Sequence, residues 1–284
     1  MSNILITGGN GQLGSELKDL AYLYPNETFI FTDKAELNIC NHKVVEDYII
    51  KNNIDAIINC AAHTSVDKAE EQFELANAIN NLAVQNFARI AKEHNIKLIH
   101  ISTDYVFDGT NHKPYIETDT PNPQSVYGKT KLDAEIALQE INPANTIIIR
   151  TSWVYSRYGN NFVKTMLRLG KEKEELGIIC DQIGTPTYAG DLAKAILEIF
   201  PQLNTSKVEI YHYSNEGVCS WYDFAQAIFE IAKIEVKVNA IESAQYPTPA
   251  KRPFYSVLNK RNIKNKFQLD IPYWKESMKE YLQE

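Results

Sequence analysis

The stretch Ile4-Leu5-Ile6-Thr7-Gly8-Gly9-Asn10-Gly11-Gln12-Leu13-Gly14 decides the fold of this chain. Its first four residues form an apolar run typical of a buried strand, and a helix is predicted to begin near Gln12. Glycines at positions 8, 11 and 14 allow a tight turn, a close approach of backbone to a pyrophosphate, and close packing of the helix on the sheet. The free N–H groups at such a helix start can hold phosphates.

A second apolar run supports a dinucleotide site, since a glycine cluster alone often marks only a turn. The run Thr28–Thr32 is predicted as the next strand, and Asp33 follows it. This carboxylate lies near the ~20-residue offset at which an acidic side chain binds the adenosine ribose. The two features together predict a dinucleotide-binding site.

The residues after the second strand give mixed indications about the choice of cofactor. Asp33 is expected to bind both ribose hydroxyls of NADH and to repel the 2′-phosphate of NADPH. Lys34 follows directly, and its ammonium can pair with that phosphate. We therefore expect both NADH and NADPH to bind.

Length, charge and composition limit the class of protein. The 284 residues carry a formal net charge of -7, with acidic and basic residues interspersed, which predicts neither a nucleic-acid nor a membrane partner. The chain enters a strand within a few residues and no apolar run approaches the ~20 residues of a membrane span, so we expect a cytoplasmic protein without a signal peptide. The four cysteines are widely separated and show no metal-ligand spacing, so we expect reduced thiols.

Short β-branched runs alternate with helical patterns through the first half of the chain, as in βαβ units. We predict an α/β fold, with a doubly wound parallel sheet (Rossmann) and a second, smaller substrate-binding lobe. The dinucleotide-binding domain is expected over residues 1–155 plus about 186–215, and the lobe over about 156–185 plus 216–284. The elements predicted after the second strand are helices at 44–52, 71–94, 126–141, 161–173, 189–200 and 221–231, and strands at 56–60, 97–102, 146–150, 176–180 and near Val236.

Hydroxyl side chains stand where the fourth predicted strand ends. Ser102 and Thr103 occupy this end, where side chains face the ligand crevice of an open sheet. A hydroxyl here can hydrogen-bond a carbonyl oxygen, although Ser-Thr at a strand end also serves in turns. The polar segment 103–125 is longer than an ordinary connection, which indicates a functional loop.

Tyr127 and Lys131 are the candidate proton donor and its partner. They are four residues apart in a predicted helix, so both side chains project from one face. A free tyrosine has a pKa of about 10, and a nearby ammonium lowers it by favouring the phenolate. The same ammonium can bind a cofactor ribose. The spacing alone also fits an ordinary exposed helix pair.

These motifs together resemble the extended short-chain dehydrogenase/reductase family. The resemblance rests on the pattern Gly8-x-x-Gly11-x-x-Gly14, a strand ending in Ser102-Thr103, and the pattern Tyr127-x-x-x-Lys131. Longer segments resemble one branch of that family, the reductases of dTDP-4-dehydro-β-L-rhamnose. These segments are 59–70, 102–109, 150–155, 186–192 and 220–222.

The resemblance to that branch implies a reaction and a substrate. Such enzymes reduce the C4 ketone of dTDP-4-dehydro-β-L-rhamnose to dTDP-β-L-rhamnose with NADPH or NADH, a step in making surface polysaccharide. By this resemblance Tyr127 donates a proton to the forming alkoxide, Lys131 orients the ribose and tunes Tyr127, and Thr103 holds the carbonyl oxygen. The family also implies a homodimer.

The resemblance further implies which residues contact cofactor and substrate. Trp153 also fits a core position, and Asn161 and Arg252 also fit an ordinary cleft rim. The cofactor-binding residues are Gly8, Asn10, Gly11, Gln12, Leu13, Gly14, Asp33, Lys34, Ala61, Ala62, His63, Thr64, Tyr127 and Lys131, and the substrate-binding residues are Thr103, Asp104, Trp153, Asn161 and Arg252.

Neither His63 nor Glu16 is assigned a catalytic role. His63 lies in a loop beside cofactor-binding alanines, where packing or hydrogen bonding is the more common role. Some family members dimerise through a magnesium site built from glutamates, and Glu16 occupies one such position. Gly190-Asp191 lacks the further glutamate that such a site needs, so we predict no metal.

Other functions remain open at this point. Dehydratases of the family place an Asp-Glu pair after the strand-end threonine, whereas Asp104 is followed here by Tyr105, so no second carboxylate is ready to protonate a leaving hydroxyl. Another nucleotide-sugar reductase or an epimerase is a second alternative. A non-catalytic dinucleotide-binding regulatory subunit is a third, because fold alone does not define function.

Overall fold

The computed structural model describes residues 2–283, and Met1 and Glu284, the outer ends of the predicted domains, lie outside the described residues. Strands β1 to β12 are Asn3–Thr7, Thr28–Thr32, Ala56–Asn59, Lys97–Thr103, Thr146–Thr151, Val154–Tyr155, Glu175–Ile179, Ile183–Gly184, Thr187–Tyr188, Glu209–His212, Cys219–Ser220 and Lys237–Ile241. Helices α1 to α11 are Gln12–Leu20, His42–Lys51, Val66–Glu71, Phe73–Asn77, Ala83–His94, Val126–Ile141, Phe162–Glu172, Ala189–Ile199, Trp221–Ala232, Arg261–Phe267 and Trp274–Gln283.

Six strands form the central sheet in the order β10-β5-β4-β3-β1-β2. All five pairings are parallel. The chain moves outward from β1 to β2 and then returns to the other side of β1 to form β3. This reversal creates a crevice at the carboxyl ends of β1 and β3, where open α/β sheets bind their ligands.

Helices cover both faces of this sheet, which confirms the doubly wound α/β prediction. Successive strand residues point to opposite faces, so Ile4 and Ile6 join one core and Leu5 the other. The core of Ile4 is completed by side chains of α1, α8 and α10. The core of Leu5 is completed by α2, α5 and α6.

A third core lies in the part of the chain predicted as the substrate-binding lobe. It is centred on α7 and α9, with Phe224 and Ile228 among its fully buried side chains. Beside it β7 and β12 pair in parallel. The proposed division of the chain into two domains stays a prediction.

The predicted helix over 71–94 is wrong in detail. Helix α3 ends at Glu71, Gln72 leaves the helical conformation at φ -121° and ψ 45°, and a π-helical segment, Ala78–Leu82, precedes α5. Single π turns inside helices often occur at functional sites, because they re-aim side chains. The predictions also missed three helices, α3, α10 and α11, and five short strands, β6, β8, β9, β10 and β11.

The four cysteines are free, but only Cys219 is buried, whereas Cys40, Cys60 and Cys180 are half-buried. Among the residues the structure describes, no helix is both long and apolar enough to cross a membrane.

Candidate active site

The glycine loop between β1 and α1 forms a cradle that only glycine can build. Gly8 has a positive φ of 66°, and a Cβ on it would lie 2.8 Å from the Ala61 Cα. A Cβ on Gly14 would lie 2.3 Å from the Gly8 carbonyl oxygen. Gly11 precedes α1 without a capping side chain, so the first N–H groups of the helix have no partner inside it. This cradle fits a pyrophosphate.

The acidic residue expected at the adenosine ribose lies across this loop. The Asp33 carboxylate accepts hydrogen bonds from the backbone N–H of Asn10 at 3.2 Å and of Lys34 at 2.7 Å. The Lys34 side chain is exposed. The Leu13 side chain is buried in the core with Ile4 and Ile6.

The loop after β3 carries Ala61, Ala62, His63 and Thr64 to the same crevice. Asn80 holds this loop, because its Oδ1 accepts from His63 N at 2.7 Å and its Nδ2 donates to His63 O at 3.2 Å. The His63 ring contacts Gln72 Oε1 through Nε2 at 3.3 Å. Its ring nitrogen Nδ1 is buried without a partner among the described residues, and the cofactor contact expected for His63 stays a prediction.

Lys131 is buried on α6, with its ammonium nitrogen against β4. Nζ donates to the Ile101 carbonyl at 2.6 Å and lies 3.1 Å from His100 Nε2. Burial lowers the pKa of Lys131 to about 7, although Glu135 and Cys60 favour the charged form. The side chain is 1% exposed, so the amine is shielded from bulk solvent.

Tyr127 lies one turn before Lys131 and meets the end of β4. Its hydroxyl is hydrogen-bonded to Thr103. Burial raises the pKa of Tyr127, and the neighbouring Asp104 and Tyr105 raise it further, while the Thr103 hydrogen bond opposes this. The expected lowering by Lys131 is therefore wrong for this arrangement, because Lys131 Nζ is engaged by β4 instead.

Asp104 is buried next to the candidate donor. Its Oδ1 accepts from Thr103 Oγ1 at 3.0 Å. Burial raises the pKa of Asp104 to about 6, and hydrogen bonds from Ser256 and Thr103 oppose the shift. Its other oxygen, Oδ2, is buried and has no hydrogen-bond partner among the described residues.

Arg252 reaches the site from the far end of the chain. Its Nη2 lies 2.7 Å from Asp67 Oδ2, and its Nη1 donates to the Tyr105 hydroxyl at 3.3 Å. The Tyr105 ring packs edge-on against Tyr127, with centroids 5.5 Å apart. The structure therefore brings Arg252 to the neighbourhood of the candidate donor.

Trp153 and Asn161 have protein partners. The Trp153 ring stacks on Trp221 with centroids 3.6 Å apart and stays partly exposed. Asn161 caps α7 through Oδ1, and its Nδ2 donates to Gln12 Oε1 at 2.9 Å. Asn161 thus lies beside the glycine loop, on the cofactor side of the crevice. The substrate contacts expected for both residues stay predictions.

Sequence reasoning missed the buried polar residues behind the site. Asn59 and His100 link the end of β1 to Lys131, and Asn80 links the His63 loop to Thr130 of α6 at 3.2 Å. These contacts join residues 31 to 52 positions apart. The only available signal was polar residues inside apolar strand runs, at Asn59 and His100.

Comparisons with known proteins agree over the whole chain. The RmlD substrate binding domain matches residues 1–284. A dTDP-4-dehydrorhamnose reductase of Aggregatibacter actinomycetemcomitans is 43% identical, over 98% of this chain and 98% of that protein. The crystal structure of a dTDP-4-dehydrorhamnose reductase from Clostridium acetobutylicum is 45% identical, covers 99% of this chain and 98% of its own, and superposes with a TM-score of 0.93.

A further solved structure adds a ligand. The dTDP-4-dehydrorhamnose reductase of Bacillus anthracis, in complex with NADP, is 40% identical, with a TM-score of 0.93 over 100% of this chain and 99% of that one. Matches of this identity and coverage, together with the glycine cradle and the Thr103, Tyr127 and Lys131 cluster, define the family. The chain belongs to the RmlD substrate binding domain family.

Proposed function

We propose that this chain reduces the C4 ketone of dTDP-4-dehydro-β-L-rhamnose to dTDP-β-L-rhamnose with NADPH or NADH. The observation that carries the proposal is the meeting of Thr103, Tyr127 and Lys131 at the carboxyl end of β4, next to the glycine cradle. The named activity of relatives that match nearly the full chain at 40% to 45% identity supports the choice of substrate.

The bound cofactor supplies a hydride to C4 of the sugar. The C4 oxygen then takes a proton from the Tyr127 hydroxyl. Because its pKa is raised, Tyr127 is a neutral phenol at neutral pH, which is the form that a proton donor needs. Thr103 holds the same oxygen through a hydrogen bond, so the oxygen, the phenol and the hydride meet in one place.

The proposal includes the other expected contacts. Lys131 binds the cofactor ribose, and Asp33 and Lys34 bind the adenosine end. Asp104, through its free Oδ2, and Arg252 bind the sugar nucleotide. Trp153 provides an apolar wall for it.

Cytoplasmic action and a homodimer complete the proposal. Four free thiols suit a reducing compartment. Light scattering of the purified chain measures the number of subunits, and cell fractionation tests the compartment.

A turnover assay tests the proposed reaction. Purified protein is given dTDP-4-dehydro-β-L-rhamnose and NADPH, and both the loss of NADPH and the sugar product are measured. Tyr127→Phe should keep the cofactor bound but lower kcat roughly 10²- to 10⁴-fold, as the loss of a positioned proton donor does. Tyr48→Phe on α2 is the matched control and should leave kcat unchanged.

The assay also separates the alternatives. A dehydratase would change the sugar without net consumption of NADPH, and an epimerase would invert a centre without reduction. A regulatory subunit would show no turnover at all. Equal kcat for Tyr127→Phe and the unaltered protein would remove Tyr127 from the mechanism.

A further inference from the structure

A chain of buried polar groups runs from the end of β1 to Lys131. Thr7 Oγ1 lies 2.6 Å from Asn59 Oδ1, Asn59 Nδ2 lies 3.0 Å from His100 Nδ1, and His100 Nε2 lies 3.1 Å from Lys131 Nζ. All four side chains are buried. Buried polar groups of this kind have fixed donor and acceptor roles, because a mismatched pair is costly.

The orientation of the Asn59 amide is set by the backbone. Ala61 N–H can only donate, and it lies 3.2 Å from the Asn59 Oδ1. The amide oxygen therefore faces Ala61 and Thr7. The amide nitrogen must face His100, where it donates to the ring nitrogen Nδ1.

The tautomer of His100 follows from this donor. An acceptor Nδ1 carries no proton, so the neutral ring carries its proton on Nε2. This N–H points at Lys131 Nζ, which also donates to the Ile101 carbonyl. An ammonium has no lone pair to accept the bond, whereas a neutral amine has one. An ammonium here would place two donors against each other.

We propose that His100, held in its Nε2–H tautomer by Asn59, is a positioning residue that donates a hydrogen bond to Lys131 Nζ and keeps Lys131 a neutral amine in the free protein. This inference rests on the role of Lys131 in the proposed function. When the cofactor binds, Lys131 takes up one proton from solvent and turns the resulting ammonium from the His100 N–H to the ribose. Above neutral pH this proton uptake weakens cofactor binding.

The other groups around Lys131 do not reverse this effect. Glu135 and Cys60 both favour the ammonium, yet burial dominates and lowers the pKa of Lys131 to about 7. The Glu135 carboxylate is also paired with Arg150, at 2.6 Å. Burial raises the pKa of the Cys60 thiol to about 12, so it stays neutral. Burial, the largest cause, lowers the pKa of His100 well below its usual value, so the ring stays neutral beside a neutral Lys131 as well.

Nitrogen NMR of the free protein tests the tautomer directly. Protein labelled with ¹⁵N-histidine is measured at about pH 8, where the chemical shifts separate protonated from unprotonated ring nitrogens. The His100 signals are those missing in His100→Gln. We expect Nδ1 without a proton and Nε2 with one. The opposite tautomer would mean that Lys131 donates to His100 and would overturn the proposal.

A second buried histidine serves as an internal reference in the same spectrum. His212 Nδ1 lies 3.1 Å from the Tyr115 carbonyl, which only accepts, and its Nε2 lies 3.4 Å from Arg150 Nη1, which only donates. Its tautomer must therefore be the Nδ1–H form, opposite to that expected for His100. Its signals show that the spectrum distinguishes the two forms.

The pH dependence of NADPH affinity tests the effect on Lys131, measured by calorimetry without substrate. In the unaltered protein the affinity should fall as pH rises above about 7, up to tenfold per pH unit, until it reaches that of Lys131→Ala. In His100→Gln, whose amide oxygen can accept from an ammonium, this fall should begin about one pH unit or more higher. His212→Gln controls for the loss of a buried histidine and should follow the unaltered protein.

A fall at the same pH in His100→Gln and the unaltered protein would overturn the proposal, as would an equal displacement in His212→Gln. If His100→Gln does not fold, the His100 signals are assigned by elimination, through single substitution of the other five histidines, and the spectrum of the unaltered protein then decides. Neither measurement uses the keto sugar. Failure of the proposed function would instead appear as absent turnover with the tautomer and pH dependence intact.

Discussion

At the residue scale, Lys131 is the group on which most of the site depends. It is buried between α6 and β4. Among the described residues, no other cation contacts His100 Nε2 or the Ile101 carbonyl. We expect Lys131→Ala to weaken NADPH binding and to lower kcat together, by about tenfold or more each, because the amine that holds the ribose also orients the cofactor for hydride transfer.

The matched control for this change lies on the same helix. Lys129 is exposed and pairs with Asp133 at 3.1 Å, so Lys129→Ala should alter neither quantity. Calorimetry gives the affinity and steady-state kinetics give kcat. An unaltered affinity beside a reduced kcat would refute the ribose contact.

Lys34 carries the second residue-scale prediction, which concerns the choice of cofactor. Its exposed side chain follows Asp33, whose carboxylate disfavours the 2′-phosphate of NADPH. We expect Lys34→Ala to lower kcat/KM for NADPH about 5- to 100-fold and to leave that for NADH unchanged, because only NADPH has a phosphate for the ammonium to pair with. Lys51→Ala, an exposed lysine of α2, is the control. Equal losses with both cofactors would show that Lys34 does not meet the phosphate.

At the element scale, the packing of α1 on the glycine loop fixes the cradle. A Cβ on Gly14 would lie 2.3 Å from the Gly8 carbonyl oxygen, which real contacts do not allow. We expect Gly14→Ala to push α1 away from the loop and to weaken binding of both cofactors more than tenfold.

Gly177→Ala on β7 is the control for the loop substitution. Its Cβ would meet only the flexible Ile241 side chain, at 3.3 Å. Cofactor affinity and thermal unfolding are measured for both variants. A fully folded Gly14→Ala that binds NADPH normally would show that the close helix packing is not needed for the cradle.

Helices and strands were predicted correctly where the local sequence pattern determines their position. Helix α6 spans Val126–Ile141 as predicted, because Ser125 caps it by accepting from Gly128 N. The break at Gln72 was not predictable from periodicity, because apolar residues continue on both sides of it. Strand β10 was missed because its short sequence, Glu209–His212, has little apolar pattern and pairs only at the sheet edge.

The candidate site was predictable only in part, for a related reason. Thr103, Tyr127 and Lys131 stand in short motifs, so their chemistry can be inferred from spacing. The tautomer of His100 depends instead on a donor from another strand, Asn59, and the pKa of Tyr127 depends on burial. Such contacts arise only when the chain folds, and they reversed the expected direction of the pKa shift of Tyr127.

At the scale of the whole molecule, long-range polar contacts join distant parts of the chain. The Arg252 to Asp67 pair links residues 185 positions apart. Buried charge also lies under the sheet, where Arg150 pairs with Glu135 and Ser102 donates to the same carboxylate. Because a buried ion without its partner is costly, removal of either charge from this cluster should destabilise the fold.

His212 gives the whole-molecule prediction. It is buried against Arg150, and burial, Arg150 and Lys260 lower its pKa to about 3, against backbone hydrogen bonds that oppose the shift. Between about pH 3 and 6.5 the unfolded chain therefore binds a proton at His212 that the folded protein does not. The free energy of unfolding should fall as pH falls through this window, by up to about 1.4 kcal/mol per pH unit from this group alone.

Comparison of variants isolates the His212 contribution from that of the carboxylates. Urea unfolding is measured between about pH 4 and 6.5 for the unaltered protein, His212→Gln and His112→Gln. His212→Gln has no proton to take up, so its stability should decline less steeply with acidification, whatever its stability at neutral pH. His112 is exposed in the loop after β4, and its variant should keep the slope of the unaltered protein. Identical slopes for all three would mean that the His212 ring becomes protonated as readily in the folded protein as in the unfolded chain, which the Arg150 contact at 3.4 Å argues against.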